Sequence, residues 1–176
     1  MPRQAPQFDG RGIRLTFRSH LRTVDRRLYS GARARRMERG QEVHAATFIR
    51  SRRIVLDSAL RGANRELHRI LIHELFHFAW VRLSNAQRRG YEATITTEWG
   101  ARARGELGWS AEMRKKSLKS PTGRAWREYL CESFCDTAAW LYSGVKRHEE
   151  FTLSQRFRKR RAAWFQAEFV GGPIRL

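Results

Sequence analysis

Two histidines and a glutamate within five consecutive residues form the most informative motif of the sequence, His73-Glu74-Leu75-Phe76-His77. Positions i and i+4 lie on the same face of an α-helix, so both imidazoles can reach one metal ion. Two histidines at this spacing are a typical pair of Zn²⁺ ligands. Glu74 lies off the line of the two rings but beside the metal, where it can accept a proton from a bound water. With 6 His in 176 residues, chance supplies this motif only about 0.015 times per chain.

A catalytic zinc site needs a third protein ligand and leaves a fourth position for water. Trp80 and Leu83 stand where an extended motif would have Gly and His, which excludes a third histidine ligand on the same helix. Glu132 and Asp136 are four residues apart in a later apolar segment, so they share one helix face. We expect Glu132 to complete a His₂Glu site and Asp136 to accept the free ring N–H of His73.

Two alternatives to this assignment remain. Glu128 lies one turn before Glu132 on the same face and is the alternative third ligand. The carboxylates could instead form a solvated acidic stripe that pairs with the abundant arginines of the chain.

Both motifs fall within long apolar segments that are predicted to be helices. The first runs from about Asn64, whose side chain can cap it, to about Leu83, and the second spans about 124–142. The other strong signals are a third helix and three strands, over about 154–169, 13–17, 43–50 and 54–56. Weaker signals favour a helix over 21–38 and a strand over 93–97.

These elements predict one α+β domain preceded by a flexible N-terminus. The flexible part is expected over residues 1–12 and the domain over 13–176, sheet-rich over about 13–60 and helical over about 64–170. The expected architecture is a small twisted sheet packed on the histidine-bearing helix, with the glutamate-bearing helix across the metal.

The charge of the chain bears on its partners. Lys and Arg number 36 against 17 Asp and Glu, which gives a formal net charge of +19 and an isoelectric point of about 11.5. This excludes an acidic solvating protein and makes nucleic acid a possible partner, although an arginine-biased composition would give the same charge. The candidate basic surface comprises Arg33, Arg35, Arg36, Arg158, Lys159, Arg160 and Arg161, with Trp164 nearby. The alternative is that these residues form solvated helix faces without a partner.

The sequence favours a cytoplasmic protein without a membrane partner. Its longest apolar run, Ile70 to Val81, is too short and too polar to span a bilayer, and its N-terminus lacks the apolar core of a secretory signal. Cys131 and Cys135 are too few for a disulfide scaffold and are expected to be reduced thiols. Nothing in the sequence indicates the oligomeric state.

The motif His73-Glu74-x-x-His77 followed by Glu132-x-x-x-Asp136 resembles the gluzincin clan of zinc metallopeptidases, and the short chain is similar to its minimal single-domain members. The resemblance covers the two helices, less than a quarter of the chain. It implies one Zn²⁺ per chain, held by His73, His77 and Glu132. It also implies hydrolysis of peptide bonds in a peptide or protein substrate, through a metal-activated water with Glu74 as general base.

The resemblance implies two further features of a peptidase. One is a sheet whose edge strand, within 43–50 or 54–56, holds the substrate as an added strand. The other is a Tyr or His that stabilises the oxyanion. The candidates for that role are Tyr91, Tyr129, Tyr142 and His148, and an arginine could substitute for them. Trp99 and Trp109 are candidates for the cleft wall or a lid.

Three other functions are consistent with the same residues. SprT-like metalloproteases act on DNA-bound proteins, but their third ligand is usually a histidine that is missing at the expected place. Metalloproteases of the ImmA/IrrE group cleave regulatory proteins and use a helical Glu as third ligand. The third alternative is a basic nucleic-acid-binding protein with a non-catalytic metal site.

Overall fold

The N-terminal third of the chain forms small β-sheets and most of the remainder forms helices, which confirms the predicted α+β class. A computed structural model of the chain describes residues 6–25, 27–169 and 171–176. Its strands are β1 (Phe8–Asp9), β2 (Arg14–Arg18), β3 (Arg22–Val24), β4 (Arg27–Tyr29), β5 (Gln41–Glu42), β6 (Ala45–Phe48), β7 (Arg53–Asp57) and β8 (Ile174–Arg175). Its α-helices are α1 (Gly31–Arg35), α2 (Asn64–Arg82), α3 (Asn85–Gly100), α4 (Trp109–Ser117), α5 (Gly123–Tyr142) and α6 (Gln155–Glu168), with a 3₁₀-helix over Ser58–Gly62.

The main sheet has three strands in the order β2-β7-β6. Strand β7 pairs in parallel with β2 and antiparallel with β6, so both of its edges are occupied. The expectation that 54–56 could be a free edge is therefore wrong, and the edge strand within 43–50 is β6. Ile54 and Leu56 of β7 are buried in the core, because this face of the sheet packs on α2.

The helix predicted over 21–38 is wrong. Strands β3 and β4 pair antiparallel there, β3 also pairs with β5, and only the short helix α1 follows. Asp25, in the turn between β3 and β4, has a φ of 47°, a left-handed conformation that Asp adopts more readily than most residues. The helical spacing of apolar residues in this segment therefore did not predict its structure, because the chain turns at Asp25.

The strand predicted over 93–97 is also wrong, because these residues lie inside α3. The helix begins at a capping box, in which Ser84 accepts from the Gln87 N–H and the Gln87 side chain accepts from the Ser84 N–H. The hydroxyls of Thr94 and Thr97 donate to carbonyls one turn earlier, so these β-branched residues are satisfied within the helix.

Part of the stretch 1–12, expected to be flexible, forms strand β1, which pairs in parallel with β8 at the C-terminal end. The Phe8 ring contacts Phe76 of the core with centroids 5.9 Å apart. Residues 1–5 lie outside the described residues.

Helices α2 and α5 pack against each other and form the centre of the molecule, close to the predicted bounds of 64–83 and 124–142. Phe76 of α2 and Phe134 of α5 are fully buried with ring centroids 5.7 Å apart. Phe76 lies between the two motif histidines in sequence, and Phe134 lies between Glu132 and Asp136. Burial of the two rings therefore fixes the rotation of both helices and brings the polar side chains of each to their common boundary.

A buried ion network connects α6 to the segment that precedes α4. Arg161 of α6 is fully buried, and its guanidinium donates to Glu98 and Glu106, each with a shortest distance of 2.7 Å. Lys115 of α4 and the Tyr129 hydroxyl also contact Glu106. Glu106 belongs to the loop between α3 and α4, so this network holds the loop in place. Removing one partner would leave a buried charge unpaired.

None of the helices in the described part of the chain is long and apolar enough to cross a membrane.

Candidate metal centre

The structure brings His73, His77 and Glu132 together at the boundary of α2 and α5. The two imidazole rings have centroids 4.9 Å apart. One oxygen of Glu132, Oε2, lies 3.3 Å from His73 Nε2 and 3.9 Å from His77 Nε2. Ligands about 2.0–2.2 Å from a tetrahedral ion lie about 3.3–3.6 Å from one another. The distance from Glu132 to His73 falls in this range, and the distance to His77 is longer.

A cysteine that the sequence analysis left unused lies in the same cluster. His73, His77 and the buried Cys135 offer ligand atoms that all lie within 4.8 Å of one another, so this group could hold a metal ion. The sulfurs of Cys131 and Cys135 each lie 3.5 Å from His77 Nδ1, the ring nitrogen opposite the one nearest Glu132. The i, i+4 spacing of the two cysteines, on either side of Glu132, was the sequence signal for this contact.

Asp136 lies where it was expected, beside His73. Its Oδ1 is 2.7 Å from His73 Nδ1, and its Oδ2 accepts a hydrogen bond of 3.0 Å from the backbone N–H of Ala111. When the ring is neutral, the carboxylate can accept the Nδ1 proton, and the lone pair of Nε2 is then free to bind a metal ion.

Gly108 is a component of the site that sequence analysis missed. A Cβ atom built at Gly108 would overlap the carboxyl group of Asp136. The φ of Gly108 is −176°, an extended conformation open to any residue, so the requirement for glycine is one of space. The N-terminus of α4 therefore approaches α5 closely enough to bind Asp136 only because position 108 lacks a side chain.

We expect Gly108→Ala to lower metal affinity about 10–100-fold, because the added methyl group would displace Asp136 from His73. The measurement is competition for Zn²⁺ against a chromophoric chelator, with thermal unfolding recorded for the same variant. Gly62→Ala is the matched control, since a Cβ there meets nothing within 4 Å. Unchanged affinity in Gly108→Ala would contradict the role assigned to the contact.

The protonation of the metal-free site follows from its charges. Burial alone would lower the pKa of His73, but Asp136 together with Glu132 and Glu74 raises it well above the usual 6.5. Burial likewise lowers the pKa of His77, but Cys131 and Glu132 outweigh it and raise the value to about 9. Burial would raise the pKa of Glu132, yet the two histidines and Arg114 lower it to about 2. In the metal-free site these shifts favour the protonated form of the two imidazoles and the ionised form of Glu132.

Glu74 is held by the edge strand of the main sheet. It is buried, and its Oε2 accepts a hydrogen bond of 2.5 Å from the hydroxyl of Thr47 in β6. Thr47 is a second residue that sequence analysis did not identify, because it lies 27 positions before Glu74. The contact orients the Glu74 carboxylate beside the histidines and links the edge strand to the site.

An open cleft of about 630 Å³ gives access to this cluster, and His73, Glu74, Glu132 and Asp136 all line it. Residues 41–45 and helix α4 also line the cleft.

The α4 wall presents apolar side chains to the cleft. Trp109 is 47% exposed and Met113 45% exposed, one turn apart. Trp109 is therefore a cleft residue, as considered from the sequence, whereas Trp99 packs on Trp126 with centroids 5.9 Å apart.

The candidates for stabilising an oxyanion lie away from the cleft. Tyr91 and Tyr129 are buried and hydrogen-bonded, to Ser133 and Thr137 and to Glu106 respectively. Tyr142 stacks on Phe76 in the core, and His148 lies 3.2 Å from Glu66.

Among the basic residues of the described chain that line the cleft, Arg114 is the one in contact with Glu132. Its Nε lies 3.6 Å from Glu132 Oε1, and its Nη1 donates to Glu128 at 2.7 Å. Glu128, the alternative third ligand, also pairs with Arg124 at 2.9 Å, so the structure places it with the two arginines.

Comparisons with family models, with curated proteins and with solved structures each found no match for this chain.

Proposed function

We propose that the protein is a zinc-dependent metallopeptidase. The observation that carries the proposal is the proximity of Glu132 Oε2 to His73 Nε2 and His77 Nε2, beside an open cleft lined by His73, Glu74 and Glu132. Two imidazoles and one carboxylate, with a side open to solvent, are a donor set typical of catalytic zinc. Resemblance of the motif to gluzincins supports the same assignment.

The choice of third ligand follows from access. Cys135 is fully buried and lies on the Nδ1 side of His77, so an ion there would be enclosed by protein. Glu132 lines the cleft, so an ion bound there would keep a position open to water and substrate. We therefore assign the third ligand to Glu132, with Cys131 and Cys135 as hydrogen-bonding partners of His77.

A bound Zn²⁺ would supply Lewis acidity toward water and the scissile carbonyl. Glu74, oriented by Thr47, accepts a proton from the attacking water and delivers it to the leaving amine. Asp136 holds the His73 ring and its tautomer. Arg114 neutralises Glu132 Oε1, the oxygen farther from the histidines, and lies in the cleft where negative charge develops.

The cleft also favours a class of substrate. Within the described part of the chain, β6 pairs with β7 alone, so an extended peptide can add to its other edge as a strand. Trp109 and Met113 form an apolar surface in the cleft. We propose an extended peptide or protein segment with an apolar side chain next to the scissile bond. DNA-associated or regulatory protein substrates remain predictions of the sequence analysis.

The test begins with zinc per chain, measured by elemental analysis of protein without a metal-binding affinity tag, followed by a peptide-library cleavage screen. A ratio near one with cleavage supports the proposal. A ratio near zero that added Zn²⁺ does not restore would refute it.

The third ligand can be tested separately. We expect Glu132→Gln to weaken zinc binding by more than about 100-fold, since it removes a direct ligand rather than an outer partner. Cys135→Ala is the matched comparison on the same helix and should retain zinc near one per chain. The reverse result, with zinc lost in Cys135→Ala and kept in Glu132→Gln, would assign the ligand to the thiol and exclude the open site.

A further inference from the structure

A second concave surface lies on the opposite face of the main sheet from the metal centre. Directly paired residues share a sheet face, and successive pairs alternate between the two faces. The pair Thr47–Ile54 faces α2, so the neighbouring pairs Phe48–Arg53 and Thr16–Val55 lie on the other face. Phe48, Arg53, Thr16 and Val55 therefore face away from the site. They form the floor of a pocket of about 700 Å³, which strand β4 and helix α1 border.

Four arginines line this pocket, which we call the arginine pocket: Arg18, Arg27, Arg33 and Arg53. None of the described residues that line it is Asp or Glu. Unlike Arg161 and Arg69, which are paired with buried or half-buried carboxylates, these four form no salt bridge with a described residue. A concave surface with four uncompensated guanidinium groups attracts an anionic ligand.

Two of the arginines lie against aromatic rings. The Arg53 guanidinium is 4.5 Å from the centroid of Phe48, and that of Arg33 is 4.8 Å from the centroid of Tyr29. The Nε atom of Arg53 is buried and has no hydrogen-bond partner among the described residues. An unpaired buried N–H costs free energy, which a ligand oxygen that reached Arg53 would recover.

We propose that the arginine pocket binds single-stranded nucleic acid. Guanidinium groups match the geometry of phosphate oxygens. The half-buried rings of Phe48 and Tyr29 line the same pocket, and aromatic rings beside cations are typical of surfaces that bind unpaired bases. A volume of about 700 Å³ falls in the range of about 300–1,000 Å³ for ligand pockets and is large enough to admit an unpaired nucleotide. The net charge of +19 favours a polyanionic chain over a free nucleotide.

This assignment revises the basic surface predicted from the sequence. Arg33 lines the pocket, but Arg161 is fully buried in its ion network, and Arg158 donates to the carbonyls of Leu153 and Phe151. Arg158 and Arg161 of the basic run in α6 thus make contacts within the fold. The proposal is independent of the metallopeptidase function, because its residues lie on the other face of the sheet.

The test is fluorescence anisotropy of a labelled ten-residue oligo(dT) with the full chain at several NaCl concentrations. We expect Arg27→Gln/Arg33→Gln to weaken binding at least about tenfold and to reduce the salt slope by about 1.4, at about 0.7 per lost phosphate contact. The matched control is Arg89→Gln/Arg160→Gln, which alters two exposed arginines outside the pocket. Both pairs lower the formal charge equally, from +19 to 19 − 2 = +17.

A charge-conserving variant separates the pocket from diffuse attraction. Arg53→Lys keeps the charge but removes the Nε–H, and we expect several-fold weaker binding. Equal weakening in the pocket pair and the control pair would overturn the proposal. So would equal competition by a DNA duplex or by poly-glutamate, since either would indicate a general anion surface rather than a site for unpaired strands.

Discussion

Glu74→Gln should abolish peptide hydrolysis while leaving zinc at one per chain. The amide keeps the size of the side chain and can still accept the hydrogen bond from Thr47, but it cannot take a proton from water. The ligands His73, His77 and Glu132 are unchanged, so metal binding should persist. Loss of a general base lowers the rate about 10²–10⁴-fold. The measurements are kcat/KM on a peptide from the library screen and metal content by elemental analysis.

Two further variants make this result specific to Glu74. Glu112→Gln changes the same functional group on α4, where Glu112 pairs with Lys116 outside the cleft, and should retain activity. Thr47→Val should reduce kcat less than Glu74→Gln does, because it removes only the hydroxyl that orients the carboxylate. Hydrolysis by Glu74→Gln at the unmodified rate would exclude Glu74 as the base, whatever the metal content.

The helices that position the metal centre could be predicted because their apolar patterns are long. Nineteen residues of α2 and twenty of α5 carry enough periodic signal to fix their type, and the i, i+4 rule then places the ligand pairs on one face. The segments that were predicted wrongly are short or mixed. In 21–38 a turn at Asp25 decides the structure, and in 93–97 the capping box at Ser84 outweighs β-branched residues.

The parts of the site that sequence did not reveal depend on contacts between distant residues. Gly108 is needed because α4 approaches Asp136, and Thr47 matters because β6 passes beside Glu74. Neither glycine before a helix nor threonine in a strand is unusual by itself. Only the packing of α4 and β6 around α2 and α5 gives these residues a role.

The distribution of charge in the fold also could not be read from composition. Arginines that look alike in sequence differ in the structure, because some have carboxylate partners and some do not. Arg161 and Arg69 hold elements together through Glu106 and Glu150, whereas Arg53 lies on an aromatic ring in an open pocket. The net charge of +19 is therefore less informative than its location.

Zinc affinity should rise steeply with pH. In the metal-free protein, neighbouring anionic groups overcome the effect of burial and raise the pKa of His73 well above 6.5 and that of His77 to about 9. Zinc must displace the protons that these rings carry. Each proton released to solvent makes the affinity tenfold higher per pH unit. The proton of His77 can pass instead to Cys131, whose pKa Cys135 and His77 lower to about 6. With one to two protons released, we expect an increase of about 10²–10⁴-fold from pH 6 to pH 8. Above pH 9 the contribution of His77 should vanish.

The number of protons released distinguishes this explanation from a general effect of pH on the fold. Calorimetric titration with Zn²⁺ at pH 7, in buffers of different ionisation enthalpy, should give a release of one to two protons, depending on how much of the His77 proton Cys131 takes up. Asp136→Asn removes the carboxylate that contributes most to the raised pKa of His73, so its release should be smaller than that of the unmodified protein while affinity drops about 10–100-fold. Release near zero in the unmodified protein would show that the imidazoles are already neutral, and the steep pH dependence would then have to disappear as well.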